Sequence, residues 1–128
     1  DYAAALGAEM GWDALYQVRA TLIAATAAAG CGSLDAPFLD TGDEAALEAE
    51  TRRVRAMGFG GRAAIHPRQI AAINRVFTPT PAEISKAEKI AAAYAEADGG
   101  VVLVDGALVE KPVKEAAARL LAKSKDVR

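Results

Sequence analysis

Between Asp13 and Ala29, Leu15, Val18, Leu22 and Thr26 recur at steps of three to four on an alanine-rich background, a spacing that predicts a helix with one apolar face. Gly30 and Gly32 then end it. The next apolar run, SLDAPF, is short and meets Pro37, so it predicts a buried strand. Beyond it, DTGDEAALEAETRRVRAMG opens with acids and closes with Arg, Met and Gly, the charge order that suits a helix dipole. After the glycines of GFGG, RAAIH ending at His66 predicts a second short buried strand, followed by a helix carrying Ile70, Ile73 and Phe77. Strand and helix thus alternate twice, with near-continuous apolar strands. That pattern predicts an α/β arrangement with a parallel sheet and crossover helices.

After Phe77 the pattern changes. TPTPAE supplies Thr80 as an N-cap, Pro81 at the first helical position and Glu83 to close a capping box. The predicted helix carries Ile84, Ala87, Ala91 and Tyr94 on one face and ends near Gly99 and Gly100. VVLVDGALVEKP then gives two β-rich runs around Asp105 and Gly106, the dipeptide that best supports a type I′ hairpin. Pro112 opens a last helix with Val113, Leu120 and Leu121.

Length narrows the picture: 128 residues fit one modest domain or a piece of a larger one. The chain begins at Asp1 rather than Met, which is the start expected of a fragment. Fifteen basic and seventeen acidic residues give a formal charge of −2 without a Lys/Arg block, so nucleic acid is not an expected partner. The longest apolar stretch, Thr21 to Cys31, is too short to span a bilayer and is flanked by Arg19, so no membrane association is expected. The single cysteine, Cys31, excludes an internal disulfide and fits a reducing, cytoplasmic setting.

In a parallel β/α arrangement, reactive side chains gather at the carboxyl ends of strands. Asp35 and His66 are placed there. By residue type, Asp35 is equally a turn-forming carboxylate or a site residue. His66, held extended before Pro67, reads as structural or ligand-lining in preference to a base. Asp105 is explained by its turn alone, Asp1 is a terminal acid beside YAAALG, and Cys31 has no neighbouring His to activate it. No metal-ligand spacing and no phosphate loop following a strand occurs.

Four phrases resemble, in order, the carboxyl-terminal half of the HpcH/HpaI aldolase and citrate lyase beta-chain family, especially its malyl-CoA and citramalyl-CoA lyase-like members. DYAAALG at Asp1 is similar to D-[YL]-A-A-x-L-G, and LDAPFLDTGD from Leu34 to I-D-G-P-F-x-D-x-x-D, with Ala36 where a glycine is common. MGFGGRAAIHPRQI from Met57 is similar to L-G-F-x-G-[KR]-x-x-I-H-P-x-Q-I, and NRVFTPTPAEI from Asn74 to N-x-x-F-T-P-[ST]-x-x-E-[IV].

The resemblance implies the last part of a (β/α)8 TIM barrel. Residues 1–79 would supply the edge of strand six with strands seven and eight, and residues 80–128 a helix, β-hairpin and helix lid. It implies a metal-dependent lyase that cleaves or forms the carbon–carbon bond of a malyl-, citramalyl- or citryl-type 3-hydroxyacyl-CoA thioester, giving acetyl-CoA and a 2-oxo acid. Asp1 matches the metal-binding aspartate for Mg2+ or Mn2+, which would polarise the oxo-acid oxygens. Asp105 matches a catalytic aspartate delivered by the tail into a neighbouring subunit of a homo-oligomer, a trimer or hexamer. Ile65, His66 and Pro67 match the CoA-binding rim. The partner glutamate and arginine of the family belong to earlier strands. Hydrolysis of the thioester, and a catalytically incomplete CoA-binding or assembly module, are the alternatives the same residues allow.

Overall fold

The computed structural model describes residues 2–97 and 100–126. The chain is mixed α/β, mostly helical, and divides after Phe77 into two compact units.

The first unit contains helix α1 (Tyr2–Leu6), helix α2 (Trp12–Ala28), strand β1 (Leu34–Asp35), helix α3 (Glu44–Met57), strand β2 (Gly61–Arg62) and helix α4 (Pro67–Phe77). Strands β1 and β2 pair in parallel, Leu34 opposite Gly61 and Asp35 opposite Arg62, with α3 as the connection between them. A Cβ at Gly61 would lie 2.7 Å from Leu34 Cδ2, the end of an exposed side chain that can turn aside. Helix α3 starts at Asp43, whose side chain accepts the Ala46 amide, and stops at Gly58 in the left-handed conformation (φ 106). Its Leu47 and Val54 meet Phe59 and α4 residues Ala72, Ile73 and Phe77 in one apolar core, flanked by Trp12, Ile23, Phe38 and Met57. On the outer surface Arg75 of α4 bonds Glu44 and Glu48 of α3, 2.9 Å each, and Arg52 also pairs with Glu48.

The second unit contains helix α5 (Pro81–Glu96), strands β3 (Val102–Val104) and β4 (Ala107–Val109), and helix α6 (Lys111–Asp126). Thr80 and Glu83 form the expected reciprocal capping box, with Pro81 in the first turn. The hairpin has Val104 opposite Ala107, leaving Asp105 (φ 50) and Gly106 (φ 79) as a two-residue turn with both φ positive, as a type I′ turn needs. Ala87, Ile90, Val109 and Ala117 form its core, with Tyr94, Val102, Val104, Leu120 and Leu121 packed against them.

Several expectations change. The edge of a sixth barrel strand expected at Asp1 lies outside the described residues, and the segment after it, Tyr2–Leu6, is helical. The strand expected over SLDAPF is only two residues long, because Pro37 has no N–H with which to extend the ladder. The strand expected to run through His66 also ends early, at Arg62. Ala63 donates the last ladder bond, 3.1 Å to the Asp35 carbonyl, and His66 lies in the bend before α4. Ile70, expected in the core, is half exposed, and in α5 the deeply buried residues are Ala87 and Ile90. In α2, Leu22 is exposed and the buried side chain is the charged Arg19.

Replacing Thr80 with Ala removes the hydroxyl that holds the Glu83 amide and is expected to cost about 1 kcal/mol of stability, read by denaturant unfolding. The hydrogen bond from Arg75, opposed by desolvation and helped by the charges of Arg52 and Arg75, holds the Glu48 carboxyl below its ordinary value. Its contribution is therefore fully present above the unfolded value of about 4.3 and is lost as pH falls through the lowered folded value. Glu48→Gln should flatten that acid limb of a stability-against-pH profile and leave the neutral slope unchanged.

Candidate functional site

At the carboxyl ends of β1 and β2 lie two loops, Ala36–Asp40 and Ala63–His66, and beneath them is a buried ionic cluster to which four elements each contribute a side chain. Arg19 of α2 grips Asp35 of β1 with both ends of the carboxylate engaged, Nε to Oδ1 and Nη2 to Oδ2, each 2.9 Å. The same Nη2 donates to Glu50 Oε1 of α3 at 3.0 Å. Arg62 of β2 donates to Glu50 Oε1 at 2.6 Å, lies 3.7 Å from Asp35 Oδ2, and reaches the Thr51 hydroxyl at 3.3 Å. Two guanidinium groups and two carboxylates balance, which is how charges become tolerable away from water. Burial opposes the charge on Arg19, but the hydrogen bonds and charges of Asp35 and Glu50 outweigh it and raise its pKa. Asp35 is thus neither a turn carboxylate nor a free acid.

The arginines also stack. Arg19 and Arg53 lie 4.8 and 3.7 Å from the Trp12 ring centre, and Arg62 lies 5.6 Å from that of Phe38. A cleft of about 260 Å³ opens beside the cluster, lined among others by Met10, Leu15, Arg19, Phe38, Leu39 and Arg62. Arg19 Nη1 is buried without a hydrogen-bond partner.

Where the backbone ladder stops, side chains continue its hydrogen bonding. Arg62 Nε donates to the Ala36 carbonyl at 3.1 Å, and Gln69 Nε2 to the Phe38 carbonyl at 2.8 Å. Gln69 Oε1 accepts the Ile65 amide at 2.9 Å. The structure brings Ile65, His66 and Pro67 together as the entry to α4, with Pro67 as its first residue and Ile65 exposed. His66 Nδ1 accepts the Arg68 amide at 3.2 Å and its carbonyl accepts the Gln69 amide at 3.0 Å, so the residue caps the helix. With Nδ1 accepting that bond, a neutral imidazole here carries its proton on Nε2.

Asp105 occupies the hairpin turn of the second unit, exposed, with Oδ2 3.3 Å from Lys89 Nζ. Asp1, expected as a metal ligand, lies outside the described residues. Among the described residues no three His, Cys, Asp or Glu side chains converge as a metal site, so the described part does not by itself fit a divalent ion. Cys31 is exposed, and its Sγ lies 3.8 Å from the Thr26 carbonyl. No helix among the described residues is long and apolar enough to cross a membrane.

Sequence reasoning passed over Arg19, Glu50, Arg62 and Gln69. The signal for Arg19 was a lone charge on the apolar stripe of an alanine-rich helix; for Gln69 it was its place in IHPRQI. Arg62 fills the [KR] position of the phrase that begins at Met57, whereas Glu50 carries no sequence signal.

No family model matches the chain. It is 36% identical over 114 residues to the citrate lyase subunit beta of Leuconostoc mesenteroides subsp. cremoris, covering 87% of this chain and 37% of that protein. It is 32% identical over 126 residues to the mitochondrial citramalyl-CoA lyase of Rattus norvegicus, covering 94% of this chain and 37% of that protein. Among solved structures, CitE from Mycobacterium tuberculosis, determined in complex with magnesium, acetoacetate and coenzyme A, superposes with a TM-score of 0.81 at 29% identity, over 96% of this chain and 48% of that one. The chain therefore spans a little over one third of the length of the curated relatives it matches.

The ionic cluster carries a direct expectation. Arg19→Met leaves the Asp35 carboxylate buried without its main partner and should cost about 3–5 kcal/mol in denaturant unfolding. Adding Asp35→Leu to that variant should recover most of the loss, because an apolar pair strands no charge.

Proposed function

Because the chain belongs to the citrate lyase beta, citramalyl-CoA lyase and malyl-CoA lyase family, of which it spans a carboxyl-terminal-like part, we propose that it supplies the thioester-binding and lid portion of a carbon–carbon lyase. The reaction would join or separate acetyl-CoA and a 2-oxo acid through a 3-hydroxyacyl-CoA of the malyl, citramalyl or citryl type. The observation that carries this reading is the 0.81 superposition, over nearly the whole chain, on a protein holding coenzyme A and a small oxo acid.

In this proposal residues 1–79 are the last β/α units of a TIM barrel, and residues 80–128 are a lid whose turn enters the site of a neighbouring copy in a cytoplasmic homotrimer or hexamer. Ile65, His66 and Pro67 form the CoA rim. That role suits a capped, preorganised helix entry with an exposed apolar side chain. Asp105 is the proton carrier. In cleavage, the hydroxyl gives its proton to the Asp105 carboxylate and becomes the oxo-acid carbonyl, the carbon–carbon bond breaks, and its electrons remain on the thioester α-carbon as an enolate. Asp105 then returns a proton to that carbon; in synthesis it removes it. An exposed carboxylate at a hairpin tip, paired among the described residues with Lys89, is free to reach a substrate. Asp1 would contribute to a Mg2+ or Mn2+ site together with carboxylates outside the described residues.

The second reading is a catalytically incomplete CoA-binding or assembly module, which would hold the thioester without turning it over.

The test is incubation of the unaltered chain with malyl-CoA or citramalyl-CoA and Mg2+, with products separated by chromatography. Acetyl-CoA plus a 2-oxo acid supports the lyase, free CoA plus the hydroxy acid indicates hydrolysis, and saturable binding without turnover supports the module. Where turnover is seen, Asp105→Asn, which tolerates the positive φ, should lower it by about 10²-fold or more with acetyl-CoA affinity unchanged. Undiminished turnover would return Asp105 to being a turn residue.

A further inference from the structure

We propose that Gln69 is a positioning residue whose carboxamide couples the two loops at the carboxyl ends of β1 and β2 and so sets the shape of the rim. The consequence for thioester binding rests on the reading of the rim given above; the coupling itself rests on the geometry alone.

Gln69 is 2% exposed, the largest fully buried side chain in the described residues, and a primary amide is an expensive group to bury unless its polar atoms are matched. Both ends are matched, and to different loops. Nε2 donates to the Phe38 carbonyl, 31 residues earlier in the chain, at 2.8 Å. Oε1 accepts the Ile65 amide, four residues earlier, at 2.9 Å. The β1–β2 ladder has ended at the bond from the Ala63 amide to the Asp35 carbonyl, so no backbone pairing joins the loops beyond that point. The one other cross-link, from Arg62 to the Ala36 carbonyl, lies close to the strand end. Gln69 sits further out, where the first loop carries Phe38 and the second carries Ile65 and His66.

Its own position is fixed independently. Gln69 lies in the first turn of α4, its amide bonded to the His66 carbonyl, on the same helix as the core residues Ala72 and Ile73. A side chain so anchored transmits the placement of α4 to both loops at once. Methionine at this position would fill the same volume and support neither bond. Glutamate would keep an acceptor for Ile65 when ionised but set lone pairs against the Phe38 carbonyl. When protonated, its hydroxyl regains a donor for Phe38 while the carbonyl oxygen still accepts from Ile65.

The experiment is amide hydrogen exchange by NMR, corrected for intrinsic rates, on the unaltered chain, Gln69→Met and Gln69→Glu, with acetyl-CoA titrated into each. In Gln69→Met, Ile65 protection should fall at least about tenfold relative to the amide of Ile73 in the core of α4. A uniform fall across α4 would mean lost stability without a coupling role and overturns the proposal. In Gln69→Glu, the Phe38–Asp40 loop should be loosened near neutral pH and regain its protection as pH falls toward about 5, since burial and the facing carbonyl raise the introduced acid's pKa. The unaltered chain, with the same His66, is the reference over that range, and a loss that persists at low pH overturns the proposal. Acetyl-CoA affinity should weaken about tenfold in Gln69→Met; unchanged affinity alongside a deprotected Ile65 overturns the role in shaping the rim. If the unaltered chain binds no acetyl-CoA, the functional reading fails and the exchange rates alone decide the coupling.

Discussion

The first unit depends on a pair of opposite charges placed where water does not reach. Asp35 stands on a strand only two residues long, and Arg19 closes on both of its oxygens from a helix that begins more than twenty positions earlier. Glu50 and Arg62 complete the balance from the two remaining elements. Two residues of parallel pairing would be a weak basis for a sheet. The cluster supplies the missing specification, because each charge stranded by a shifted register would carry a desolvation penalty of several kcal/mol. Buried pairs of this kind contribute little net stability against an apolar substitute, and their role here is to admit only one arrangement of α2, β1, α3 and β2.

From that fixed point the rim is built outward by side chains. Arg62, held at its tip by Glu50 and Thr51, uses its Nε to hold the Ala36 carbonyl. Gln69 repeats the device one step further, and His66 then caps the helix that carries Gln69. Loops at the carboxyl ends of parallel strands are where α/β enzymes bind ligands, and such loops must be rigid to be selective. The charge cluster, the two carbonyl clamps and the capped helix entry form one chain of cause running from the core to the exposed Ile65.

Much of this was legible in the sequence wherever local chemistry decides. The Thr80–Glu83 box, the Asp105–Gly106 turn and the left-handed Gly58 each follow from what a few adjacent residues can do with their own backbone. Strand length was not legible, because apolarity extends through SLDAPF and RAAIH while pairing stops where Pro37 withholds its N–H and the two chains part. The partners of Arg19 were hidden for a different reason: periodicity places the arginine on the apolar stripe, but the carboxylates that meet it are sixteen and thirty-one residues away. The family phrase I-H-P-x-Q-I includes Gln69 beside His66 and Pro67, but not the two backbone groups it bonds, Ile65 nearby and Phe38 thirty-one residues earlier.

The central claim is that the Phe38 and Ile65–Pro67 loops form the surface on which a CoA thioester rests. Titration of acetyl-CoA into the isotopically labelled chain, followed by amide chemical shifts, tests it most directly. The account predicts saturable shifts concentrated on Phe38–Asp40 and on Ile65 to Gln69. Saturable shifts confined to other parts of the chain, or none at millimolar acetyl-CoA, would contradict it.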